Sequence, residues 1–69
     1  MNLYEIEYRD EDPGCPTMCM LRRAEGLEHL QEILLSDPDA GGWIIERVAR
    51  VDRTIPRHRW VWHNVHWRI

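Results

Sequence analysis

The sequence predicts an α+β domain of order ββαββ: a four-stranded antiparallel sheet with one helix packed on one face. Three observations predict it. Residues 2–8 alternate with a period of two, the mark of a half-buried strand. Leu27, Leu30, Ile33 and Leu34 recur at helical spacing and form one apolar stripe. After the helix come two more apolar and aromatic runs, 43–51 and 57–69, separated by a turn that contains Pro56.

In the first strand, Tyr4, Ile6 and Tyr8 share one face and Leu3, Glu5 and Glu7 the other. The acidic stretch Arg9-Asp10-Glu11-Asp12-Pro13-Gly14 is a loop punctuated by Pro-Gly. Thr17-Met18-Cys19-Met20-Leu21 is too short for a helix and follows a turn, so it reads as a second strand hairpinned to the first. Its apolar character on both parities predicts a central place in the sheet. Gly26 is the expected N-cap of the helix, with Glu25 and Glu28 near the positive end of its dipole. Asp37-Pro38 ends it, because a residue before proline is pushed out of the helical region. In the third strand, Trp43, Ile45, Ala49 and Val51 share a parity and are expected to meet the helix.

All 69 residues fit one small domain. Such a chain buries only about 60% of its unfolded surface, so its margin of stability is thin. An apolar fraction of 43% and a charged fraction of 30% are those of a folded soluble domain. All nine basic residues are arginine, a bias that a GC-rich genome produces. The charge is polarised: residues 1–41 hold ten acids against three arginines, and residues 42–69 six arginines against two acids. Packing the halves together with their charges interleaved is the expected outcome. The start has neither the basic nor the apolar region of a signal peptide, and no apolar run approaches the ~20 residues of a membrane span. A cytoplasmic location is expected, with no membrane partner.

The last thirteen residues hold three of the four tryptophans and three of the four histidines. Written as one strand, they place Val61, Val65, Trp67 and Ile69, with Arg57, Arg59 and His63, on one face. The other face carries His58, Trp60, Trp62, Asn64, His66 and Arg68. These six are the candidate partner-binding residues, because the sheet face opposite the helix has nothing else to cover it. Trp43 and Trp67 are expected in the core. The competing reading buries all four tryptophans, with a β-bulge near His63-Asn64 switching the parity.

Metal and catalysis find little support. Cys15 and Cys19, with His63 and His66, imitate a two-Cys, two-His zinc set. Extended, the cysteines stand roughly 13 Å apart, whereas two sulfurs on one zinc lie within about 4 Å. The same separation opposes a disulfide. Cys19 is expected in the core and Cys15 in a loop. No nucleophile elbow, zinc-protease helix or phosphate loop is present. The chain is read as non-enzymatic and free of cofactor and metal.

The expected function is a protein-interaction module, since Trp, Tyr and Arg dominate interface hot spots. The same face would also serve a homodimer. The alternative is a single-stranded nucleic-acid binder, with bases stacking on Trp60 and Trp62 and arginines holding phosphates; the net charge of −3 weighs against it. The layout, with Ala24-Glu25-Gly26-Leu27-Glu28 at the strand-to-helix junction, resembles small phage-encoded proteins, some of the anti-CRISPR type. That resemblance implies a stoichiometric inhibitor that occludes a surface of a larger host nucleic-acid-processing complex. It carries over no contact residues.

Overall fold

The computed structural model describes residues 1–69. The elements are β1 (Asn2–Asp10), β2 (Met18–Ala24), α1 (Leu27–Ser36), β3 (Trp43–Arg50) and β4 (Trp62–Arg68). Short 3-10 turns occupy Pro38–Ala40 and Arg57–Arg59. The strands form one antiparallel sheet in the order β2-β1-β3-β4, so the ββαββ order and the α+β class stand. No helix is long and apolar enough to cross a membrane.

Because β2 and β3 flank β1 on opposite sides, α1 must carry the chain across one face of β1. Its apolar stripe lands as the spacing predicts: Leu30 and Leu34 are fully buried, and Leu27 and Ile33 pack against the same cluster. Burial of each such side chain contributes roughly 1.5–3 kcal/mol. Opposite them stand Tyr4 and Ile6 of β1, Ala24 of β2, and Ile45 and Val48 of β3. Trp43 and Trp67 pack on this cluster from its margin, Trp43 stacking on Tyr8 with ring centroids 4.3 Å apart. Gly26 is the N-cap but has no side chain to bond the first turn. In its place His29 Nδ1 accepts the Glu25 N–H at 2.9 Å, tying the helix start to the end of β2. The helix ends at Ser36, before Asp37-Pro38.

Three strand expectations need correction. β2 is an edge strand and not a central one. Its apolar residues reflect an uncovered margin: Met18 is 38% and Leu21 53% exposed. The centre belongs to β1, whose Glu5 and Glu7 find arginine partners there.

The second correction concerns β3. Glu7 faces Arg47 but Tyr8 faces Ile45, so Glu46 is an extra residue, a bulge. The bulge reverses the parity. Trp43 and Ile45 face the helix as expected, but Val48 takes the next place there, opposite Ile6. Ala49 is turned to the open face, between Glu5 and Trp62 in the register, where it is fully buried outside the helix-side cluster.

The third is the C-terminal stretch, which is not one long strand. Residues 57–59 form a 3-10 turn, and β4 begins only at Trp62. Val65 and His66 together stand against the single Glu46. His66 absorbs the extra length at φ 52°, a left-handed conformation that histidine tolerates better than a β-branched residue would.

Candidate functional site

The segment between β3 and β4 decides what the open face of the sheet looks like. Asp52 starts it with a tight turn: its Oδ1 accepts the Thr54 N–H at 3.0 Å and the Thr54 hydroxyl at 2.6 Å. Those two bonds hold the Asp52 carboxyl below its ordinary range. Trp60 then closes the loop, its indole N–H donating to the carbonyls of both Asp52 and Ile55 at 3.0 Å. A half-buried indole thereby satisfies two loop carbonyls, so Trp60 supports the loop as much as it presents a surface.

With the loop pinned there, Arg57 reaches over β1. Its Nε and Nη2 each bond Glu5 at 2.8 Å, and Nη2 lies 3.3 Å from Glu7. Arg47, placed beside Glu7 by the strand register, forks the same carboxylate through Nε and Nη2. Trp62 lies in this lattice. The Arg47 guanidinium is 4.2 Å and that of Arg57 5.1 Å from its ring centroid, with the Trp60 ring at 6.3 Å. The hydrogen bonds from Arg47, helped by both positive charges, hold Glu7 below the usual carboxylate range. Both arginines are held further above theirs, by Glu7 and Glu5 respectively. A smaller lattice lies beyond the bulge, where Arg9 and Thr17 both meet Glu46 at 3.3 Å. The acidic and basic halves are thus interleaved across the open face.

Two clefts flank Trp60. On the open face, Leu3, Met20, Leu21, Val51 and Trp60 line a groove of about 400 Å³ with Cys19, Glu5, Arg53 and Arg57 around it. Its outer side is the β2 edge. On the helix-covered side, a cleft of about 370 Å³ opens among Tyr4, Leu27, Arg50, Asp52, Ile55, Arg59, Trp60, Val61 and His63.

The six candidate residues are therefore not one strand face. Trp62, Asn64 and Arg68 pair with Ala49, Arg47 and Ile44 on the open side. Asn64 and Arg68 are exposed, as is His66 at its bulge. His58 is exposed on the 3-10 turn, and Trp60 caps that turn. Period-two reading missed Leu3, Leu21 and Val51, which line the groove, and the Glu5–Arg57 and Glu7–Arg47 pairs. The one available signal was the charge polarity between the chain's halves, which called for such pairing without naming partners.

The cysteines are free, Cys15 half-buried and Cys19 exposed, so the expectation of a core Cys19 is corrected. Odd residues of β2 face the open side, away from the helix. Desolvation, then the nearby Glu5 and Glu7 carboxylates, push the Cys19 thiol above its ordinary range, which disfavours the thiolate that nucleophilic chemistry needs. His63 faces Val48 on the helix side, while His66 is exposed at the bulge. No three His, Cys, Asp or Glu side chains gather where they could hold a metal ion. Compared with known proteins, the chain matches no family model, no curated sequence and no solved structure.

Proposed function

We propose that this chain is a non-enzymatic protein-interaction module whose open face takes an extended segment of a partner protein alongside β2. The observation that carries the reading is an unpaired edge strand bordering an apolar groove, with Leu21 53% exposed between the two. A strand added to β2 would satisfy its outward N–H and C=O groups, and alternate side chains would enter the groove. Arg23 and Arg53 have no carboxylate partner, and Arg22 meets only Asp37, at 4.0 Å. The fitting partner strand presents apolar residues to the groove and, on the same face, acidic residues to Arg23 and Arg53. Stoichiometric occlusion, which the layout resemblance implies, requires a surface of this kind and no chemistry.

The nucleic-acid alternative draws less support. Trp62 is engaged by two guanidinium groups, and both are held by Glu5 and Glu7. Stacking a base there and binding its phosphate would first break those contacts.

Selection of linear peptides from a random library tests the proposal. Enriched peptides should carry apolar and acidic residues at spacings of two, on one strand face, shift the amide resonances of 18–24, and lose binding to Leu21→Asp. That variant should fold within about 0.5 kcal/mol of the parent, as an exposed substitution does. Peptides that shift β4 instead, or that survive Leu21→Asp, overturn it. Tighter binding of oligothymidylate than of any peptide favours the nucleic-acid reading.

A further inference from the structure

The cleft on the helix-covered side plays no part in that proposal and lies on the opposite face of the sheet. We propose that it is a binding site for a small organic monoanion, a single acidic group carried on an apolar ring. Tyr4, Arg50, Arg59 and His63 hold the acid, and Trp60 and Leu27 receive the ring.

Position brings these groups together. Tyr4 and Arg50 are direct partners across β1 and β3, and His63 is opposite Val48, two residues before Arg50. All three therefore rise from the helix-facing side of the sheet. Arg59 and Trp60 come from the loop, where the two indole hydrogen bonds to Asp52 and Ile55 fix them at the cleft. Leu27, the first residue of α1, closes the far wall.

Tyr4 is the observation that points to a ligand. Its side chain is among the core residues, only 6% exposed, yet its hydroxyl bonds nothing in the chain. No fully enclosed side-chain polar atom lacks a partner. The hydroxyl is therefore reached by solvent, and Tyr4 is one of the residues that line the cleft. A tyrosine hydroxyl that solvent reaches and no group of the chain engages is free to donate to a ligand.

Charge sets the ligand class. Neither Arg50 nor Arg59 has a carboxylate within salt-bridge distance, unlike Arg9, Arg47 and Arg57. Asp52 is on the same wall and repels anions. Its Oδ1 is already taken by Thr54, and one acid against two guanidinium groups leaves a single positive charge. That balance suits one carboxylate, sulfonate or singly ionised phosphate ester, and disfavours a polyphosphate. A volume of about 370 Å³ is at the small end of ligand pockets. It accommodates a bicyclic ring and not a dinucleotide.

The test uses 1-naphthoate and its neutral twin 1-naphthamide as probes of the whole chain, followed by the Trp60 indole N–H resonance and the backbone amides. Naphthoate should shift Trp60 and residues 50–63 saturably, and naphthamide should bind at least about tenfold more weakly. Arg50→Gln with Arg59→Gln should weaken naphthoate by a similar factor at an unchanged melting temperature, since both side chains are exposed and unpaired. Tyr4→Phe, which keeps the buried ring, should weaken it several-fold. Four results overturn the proposal: no saturable shift at millimolar naphthoate, equal affinity for the amide, undiminished binding by the double variant, or shifts confined to the groove at Leu3 and Leu21.

Discussion

Glu7→Gln tests whether the open face is held by its charges. Glu7 accepts from Arg47 through Nε and Nη2 and from Arg57 at 3.3 Å, and its side chain is only 14% exposed. The amide keeps one acceptor oxygen and turns an NH2 toward a guanidinium. One charge-assisted bond is worth about 1.5–3 kcal/mol when its surroundings are dry. Arg47 and Arg57 are 40% and 51% exposed, so solvent screening reduces that toward the lower end. A loss of about 2 kcal/mol at neutral pH is expected, equivalent to about 8–16 °C in Tm for a domain this small.

The pH dependence makes the argument specific. Glu7 is held below its ordinary range in the folded chain by the Arg47 hydrogen bonds. A group with a depressed folded pKa contributes stability above its unfolded pKa, about 4.3 for a glutamate. It loses that contribution as pH falls through the folded value. The parent should therefore lose its advantage over Glu7→Gln between about pH 5 and the folded pKa, and the two should converge in stronger acid. Urea denaturation at neutral and acid pH, with the slope m compared to confirm the same transition, measures this. A deficit that stays constant with pH, or that is under about 0.5 kcal/mol at neutral pH, would refute the lattice as a stabilising device.

Leu30→Ala and Ile45→Ala each remove a fully buried side chain and should cost about 2–5 kcal/mol in a denaturant titration; a parent-like midpoint for either would remove the helix from the sheet face. Trp60→Phe keeps a ring but withdraws the donor that serves the Asp52 and Ile55 carbonyls. It should cost about 1–2 kcal/mol and accelerate hydrogen exchange in 52–60 selectively, and a uniform acceleration across the sheet would contradict a local pin.

Much of the fold was legible because its cause is local. The period of two in β1, the Leu27–Leu34 stripe and the Asp37-Pro38 stop each depend on residues within one element. Failures came where a single residue alters everything downstream of it. Glu46 is one extra position in β3, and nothing in Ile45-Glu46-Arg47-Val48 announces that the strand turns over there. Yet that residue decides that Val48 joins the helix-side cluster and Ala49 is buried on the open face instead. The place of β2 was misread for a related reason. Apolar residues on both parities mark either a strand buried on two faces or an edge waiting for a neighbour, and composition does not separate the two.

The tryptophans of the C-terminal stretch show why a contact site is harder to read than a core. Trp60 and Trp62 are neither wholly buried nor freely displayed. One has its N–H committed to loop carbonyls, and the other has its ring committed to two guanidinium groups. Trp60 is held by carbonyls of its own loop, whereas the guanidinium groups on Trp62 are fixed by distant carboxylates: Arg57 is fifty residues from Glu7 in the chain and still meets it at 3.3 Å. An aromatic and arginine-rich stretch therefore advertises hot-spot chemistry whether it faces a partner protein or the chain's own carboxylates. What separates the two cases is whether the arginines are already paired. By that criterion the charged centre of the open face is structural. The surfaces left with unsatisfied groups are the two sheet edges, β2 beside Leu21 and β4 with its unpaired Arg68, and the cleft under Arg50 and Arg59.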